Sequence, residues 1–149
     1  MPTGTTAFTL CLYAGTTSAA LGSADIPPGM NWTAISDKGH KLTDPSGTPE
    51  GIQKAILKGG AAGKAKALVK GKGVNLPDIL TGVLPLPVTA QLVNDGTTVC
   101  FEGQYDVADV RKNDGEQFKA KAQSGTRLFA VRLPAVAGFP LRPPDSVTA

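Results

Sequence analysis

The sequence predicts an all-β domain, a single antiparallel β-sandwich of Greek-key or jelly-roll-like type with about seven to nine short strands. Three observations carry this expectation. Apolar and polar residues alternate singly over short runs, which is the period of a half-buried strand. The runs are separated by turn chemistry, clearest at Asp95-Gly96, because both central residues of a two-residue hairpin loop need positive φ. Finally, 18 glycines and 12 prolines interrupt the chain too often for a helical bundle or coiled coil.

Taken in order, residues 7–14 place Phe8, Leu10 and Leu12 on one face and Thr9, Cys11 and Tyr13 on the other. Gly15-Thr16-Thr17 reads as a turn, and 19–26 as a weaker strand stopped by Pro27-Pro28-Gly29. A short run follows around Trp32, and 38–47 is turn-rich. Residues 48–59 fit two patterns. Thr48, Pro49, Glu50 and Gly59 would cap a helix carrying Ile52 and Ile56. Gln53, Ala55 and Leu57 alternating with Lys54 and Lys58 suit a strand. In 64–72, Lys64, Lys66, Lys70 and Lys72 share one parity and Ala65, Ala67 and Val69 the other, which predicts a strand with one cationic face. Pro77, Pro85 and Pro87 make 74–87 a long connection.

The hairpin at Asp95-Gly96, read with a two-residue loop, pairs Leu92 with Val99, Ala90 with Phe101 and Gln91 with Cys100, and sends Val88, Ala90, Leu92, Val99 and Phe101 to the core. Lys112 to Gly115 signals a turn and 117–122 a strand. The domain is therefore expected to span 7–122, with a core of Phe8, Leu10, Leu12, Val69, Val88, Leu92, Val99, Phe101 and Phe118. The tail 123–149 is expected to add one strand over 127–136 before a Pro-rich coil.

The inventory of chemistry-bearing residues is thin. One histidine and two cysteines argue against a self-contained zinc centre, and no cofactor is expected. Gly59-Gly60-Ala61-Ala62-Gly63-Lys64 resembles a phosphate loop, but its spacing is one residue short and Ala65 stands where a hydroxyl is needed. A Cys–His hydrolase would need His40 beside Cys100, and His40 lies in a Gly- and Lys-rich turn. Asp106, Asp109, Asp114 and Glu116 do not follow a calcium-loop spacing. Cys11 and Cys100 both fall on the polar faces of their strands, as an exposed free pair or a disulfide between neighbouring strands. The net charge is +3, and between Glu50 and Asp78 there are six lysines and no acid. Lys64, Lys66, Lys70 and Lys72 are thus candidates for binding a polyanion such as acidic polysaccharide or nucleic acid, or else guard a sheet edge. No run of apolar residues is long enough to span a membrane, and the first residues lack a signal-peptide pattern.

Several segments come in a familiar order: 8–13, Ile26-Pro27-Pro28-Gly29, Trp32, 39–44, 51–59, 63–67, 70–73, Asn75-Leu76-Pro77, 88–92, Cys100-Phe101 and Lys112-Asn113 with 118–121. Over about 7–122 the chain resembles an uncharacterised β-rich module found in predicted secreted proteins of environmental bacteria. The resemblance implies an extracellular or cell-surface location, a strand over 51–58, and no catalytic residues to carry over. Relatives often hold a cysteine pair just before the tryptophan; here Gly29-Met30-Asn31 stands in its place. The leading expectation is a non-catalytic structural or accessory module of a bacterial secreted or cell-surface protein. Its expected partners are other domains of a longer chain or identical subunits, with polyanion binding as the alternative.

Overall fold

The computed structural model describes residues 4–16, 19–48, 50–61, 64–77, 82–97, 99–122 and 129–132, the last four and Ala19, Val99 and Cys100 through their backbone only. It is all-β and antiparallel throughout. Five strands form one sheet in the order β11-β8-β7-β1-β2: β1 Phe8–Ala14, β2 Ala19–Ile26, β7 Val88–Asn94, β8 Val99–Tyr105 and β11 Phe129–Arg132. Four form a second sheet as a simple meander: β3 Trp32–Ala34, β4 Gly39–Thr43, β5 Ile52–Lys58 and β6 Lys66–Gly71. A separate hairpin joins β9 Val110–Asn113 to β10 Phe118–Ala120. The long connection after β6 returns the chain to the first sheet, where β7 lies beside β1. No helix among the described residues is long and apolar enough to cross a membrane.

The two larger sheets share one core. Phe8, Ala24, Ile26 and Leu92 from the first meet Trp32, Leu42, Ile52, Ala55 and Leu57 from the second, with Leu10, Val69 and Phe101 packed against them. Phe8 and Trp32 rings lie 5.9 Å apart and tilted. The Trp32 indole N–H donates to the Pro27 carbonyl at 2.9 Å, so the buried ring leaves no polar atom unpaired. Of the expected core, Phe8 and Leu92 belong to this cluster, Leu10, Val69 and Phe101 pack against it and Val88 is fully buried, but Trp32, Leu42, Ile52, Ala55 and Leu57 of the second sheet were not expected. Leu12 and Phe118 are half-buried and outside this cluster. The side chain of Val99 lies outside the described residues.

Residues 52–58 form a strand. Gly51 has φ +76 and its Cα lies against the Leu76 backbone, where a Cβ would sit 2.6 Å from Leu76, which rules out a helix running through it. A register shift between Ile52 and Lys54 lets Ile52, Ala55 and Leu57 all face the core despite broken alternation. The turn-rich segment 38–47 holds β4. Its first residue, Gly39, has φ +153, and an added Cβ would collide with the Leu57 carbonyl at 1.9 Å, so only glycine permits this close strand approach.

The β7–β8 register corrects the two-residue hairpin. Leu92 pairs with Phe101, Gln91 with Glu102 and Ala90 with Gly103, a slip of two residues. Thr97 N–H donates to Asn94 O at 3.1 Å, Asp95 N–H to Ala7 O at 3.1 Å, and Gly96 N–H to the Asn94 side chain at 2.8 Å. Asn94 thus holds a longer turn. Because the slip is even, each side chain keeps its face.

The same register removes the Cys11–Cys100 disulfide. Cys11 lies opposite Gln91 in β7, and Cys100 opposite Val93 on that strand's other edge. The two Cα atoms are therefore two strands and two residues apart, roughly 12 Å, beyond the ~7 Å a disulfide bridges. Cys11 is free and buried. Of the expected tail strand, β11 is described, paired with β8; the rest of 123–149, including the expected coil, lies outside the described residues.

Candidate polyanion-binding face

The outer face of the second sheet follows from three registers. In β5, Ala55 and Leu57 turn inward, so Lys54, Ile56 and Lys58 take the outward positions. In β6, Ala67 and Val69 pack toward the core, and Lys66, Leu68 and Lys70 face out. Leu42 of β4 is buried, which turns Lys41 and Thr43 outward. Across the strands Lys58 lies directly opposite Lys66, Lys54 opposite Lys70, and Lys41 opposite Ile56, which in turn faces Leu68.

The face is thus two pairs of directly opposed lysines flanking a row of Lys41, Ile56 and Leu68. All five lysines are exposed, and Leu68 keeps 45% of its surface open. No carboxylate occupies an outward register position on β3–β6. Among the described residues the recorded ion pair is Lys112–Asp114, 3.0 Å, on the separate hairpin. Opposed like charges destabilise a sheet, so this arrangement carries a cost that no outward carboxylate of β3–β6 among the described residues offsets.

Of the residues singled out from sequence, Lys66 and Lys70 sit on this face, while Lys64 and Lys72 flank β6. Lys41, Lys54 and Lys58 join them through strand pairing. The alternation of Lys54 and Lys58 was visible in the sequence; their direct opposition to Lys70 and Lys66 was not, because register depends on the turn between β5 and β6. β6 is also an edge strand.

The other candidates separate. His40 is half-buried in β4, opposite Leu57, in the sheet that does not contain Cys100. Burial pushes the Cys11 thiol up to about 11, with Tyr13 pulling it down and Asp25 and Asp95 adding to the rise; such a thiol is a poor nucleophile at neutral pH. Asp106 and Asp109 organise a turn, with Asp109 accepting from Asp106 N–H at 3.1 Å. Asp114 accepts from Glu116 and Gln117 N–H at 3.1 and 2.8 Å. No group of three or more ligand-type side chains among the described residues is arranged to hold a metal.

A cavity of about 250 Å³ opens at the end of the sandwich, between Asp25, Pro28, Met30, Asn31, Asp44 and Thr48. Its buried carboxylate, Asp44, accepts from Ser46 N–H at 3.1 Å, the Ser46 hydroxyl, Thr48 N–H at 3.2 Å and the Thr48 hydroxyl at 3.4 Å. The Ser46 hydroxyl is the largest of the contacts that hold its pKa below the usual carboxylate range. Both oxygens are used to shape their own loop, leaving Asp44 little capacity for a ligand.

In comparison with known proteins, the chain matches no family model, no curated protein and no solved structure.

Proposed function

We propose that the protein is a non-catalytic accessory module that holds a polyanion through the outer face of β4–β6, as part of a bacterial secreted or cell-surface protein. The observation that carries this reading is the pair of opposed lysine couples, Lys54–Lys70 and Lys58–Lys66, with Lys41 between them and no carboxylate at the outward register positions of β3–β6 among the described residues. Two lysines whose Cβ atoms stand about 5 Å apart repel in the free protein. An anionic group shared between them turns that repulsion into two charge-assisted contacts. Lysines supply point charges rather than planar forks, which suits attraction to a charged polymer without strict geometric readout. The secreted setting rests on the resemblance of 7–122 to the bacterial module.

A second reading has its own observation: β6 is an edge, and edge lysines deter sheet-to-sheet association. That role needs charge on β6 alone. It gives no reason for Lys41, Lys54 and Lys58 on the interior strands β4 and β5. Changing Lys54, Lys58, Lys66 and Lys70 to glutamine separates the two. Polyanion binding predicts retention on a heparin column at low salt that the variant loses while staying monomeric. A wild-type chain that flows through at low salt, together with a variant that self-associates, would leave edge protection as the role.

A further inference from the structure

The lysine pairs do not form a continuous cationic patch. Along the strands they are four residues apart, about 13 Å, and the row between them is Ile56 and Leu68 with Lys41 to one side. Leu68 keeps 45% of its surface open among these lysines, apolar area that a bound ligand gains by covering. From this arrangement, and resting on the polyanion reading above, we infer that the ligand is an acidic polysaccharide. It lies along β5 and β6, with anionic groups over the Lys58–Lys66 and Lys54–Lys70 pairs and a sugar ring's C–H face over Leu68 and Ile56.

The alternatives fit the same face less well. A nucleic-acid duplex carries one charge per ~1.7 Å of axis, so the apolar row would face phosphate and water. Single strands gain affinity by stacking bases on aromatic rings, and the outward positions of β3–β6 hold Thr33, Lys41, Thr43, Lys54, Ile56, Lys58, Lys66, Leu68 and Lys70 but no aromatic. A membrane-surface element places tryptophan or several large apolar side chains at the interface, whereas this face offers one half-exposed leucine and a more covered isoleucine. A pyranose ring alternates charged substituents with apolar C–H surface, which is the alternation the face presents.

The test compares four probes on the full chain at one low salt concentration: a heparin oligosaccharide, inorganic polyphosphate, single-stranded DNA and vesicles containing phosphatidylserine. Each is titrated against wild type, Leu68→Ser and the Lys54/Lys58/Lys66/Lys70→Gln variant. Leu68 lies exposed on an edge strand, and Leu68→Thr, with its better strand preference, replaces the serine variant if that one melts early. The expected result is that Leu68→Ser weakens heparin binding about three- to ten-fold and leaves polyphosphate binding within about two-fold. Equal effects on both probes, no effect on heparin, or tightest binding to DNA or vesicles overturns the polysaccharide assignment while the lysine face stands. If no probe binds, or the glutamine variant binds them like wild type, the polyanion reading itself fails.

Discussion

Replacing Lys54 and Lys58 with glutamate exposes a trade-off written into the β5–β6 register. In the wild-type chain each lysine faces another across the strands, Lys54 with Lys70 and Lys58 with Lys66. After substitution each row pairs an acid with a base. Opposed cross-strand charges are worth roughly 0.2–1 kcal/mol and like charges cost a similar amount, at the low end for exposed side chains. Reversing two rows is thus worth about 1–2 kcal/mol at low ionic strength, which raises the melting temperature by about 3–6 °C for a domain of this size. The gain shrinks in 1 M salt, where the Debye length falls to ~3 Å. Binding moves the other way, because three lysines and two glutamates leave the face nearly neutral. The assay is thermal unfolding at 20 mM and 1 M salt beside heparin retention of the same variant. A variant no more stable at low salt would refute the opposed register. One that is stabilised yet retained like wild type would refute the use of this face for binding.

Three further outcomes follow from particular contacts. The Asn113 side chain accepts from Leu84 N–H and donates to Leu84 O, both at 2.8 Å, and Leu84 is 3% exposed. Asn113→Ala leaves both backbone groups unpaired and should cost about 2–3 kcal/mol in chemical denaturation, and Asn113→Asp, which sets a carboxylate oxygen against the Leu84 carbonyl, should cost at least as much. Asp44→Asn should destabilise by about 1–2 kcal/mol near neutral pH. Because the folded pKa of Asp44 lies below its ordinary value, this stabilisation is present above the unfolded pKa of about 3.9 and lost as pH falls through the folded one. The gap between wild type and Asp44→Asn, measured by unfolding across pH, should therefore close below about pH 4. Cys11, 1% exposed and with its pKa raised to about 11, should resist alkylation in the native protein. In denaturant without reductant both cysteines should label, since no bond joins them; a chain that takes up no label there would restore the disulfide.

The strands were legible where side chains alternate and turns are marked, as in 7–14, 64–72 and 88–94. β4 was hidden because Gly39 and His40 carry no alternation, and its existence depends on Gly39 passing close to Leu57. Residues 48–59 fitted a helix and a strand alike, and the bulge after Ile52 accommodates the Ile52–Ile56 spacing within a strand. Trp32 and Leu42 escaped the expected core because their strands are three and five residues long, too short to show a period. The cationic parity of 64–72 was readable. The opposed lysine couples were not, since they arise from pairing between strands, and neither was the even slip of the 94–99 turn, which is set by the Asn94 side chain and by Asp95 bonding to Ala7.

The account rests most heavily on Lys41, Lys54, Lys58, Lys66 and Lys70 acting together on a charged polymer, and the salt dependence of heparin binding measures that directly. Five lysine contacts predict a slope of log K against log salt of about −3.5 to −4.5 for wild type, shrinking in magnitude to about 1 or less when all five are glutamine. A wild-type slope near zero, or one that the five substitutions leave in place, would contradict it.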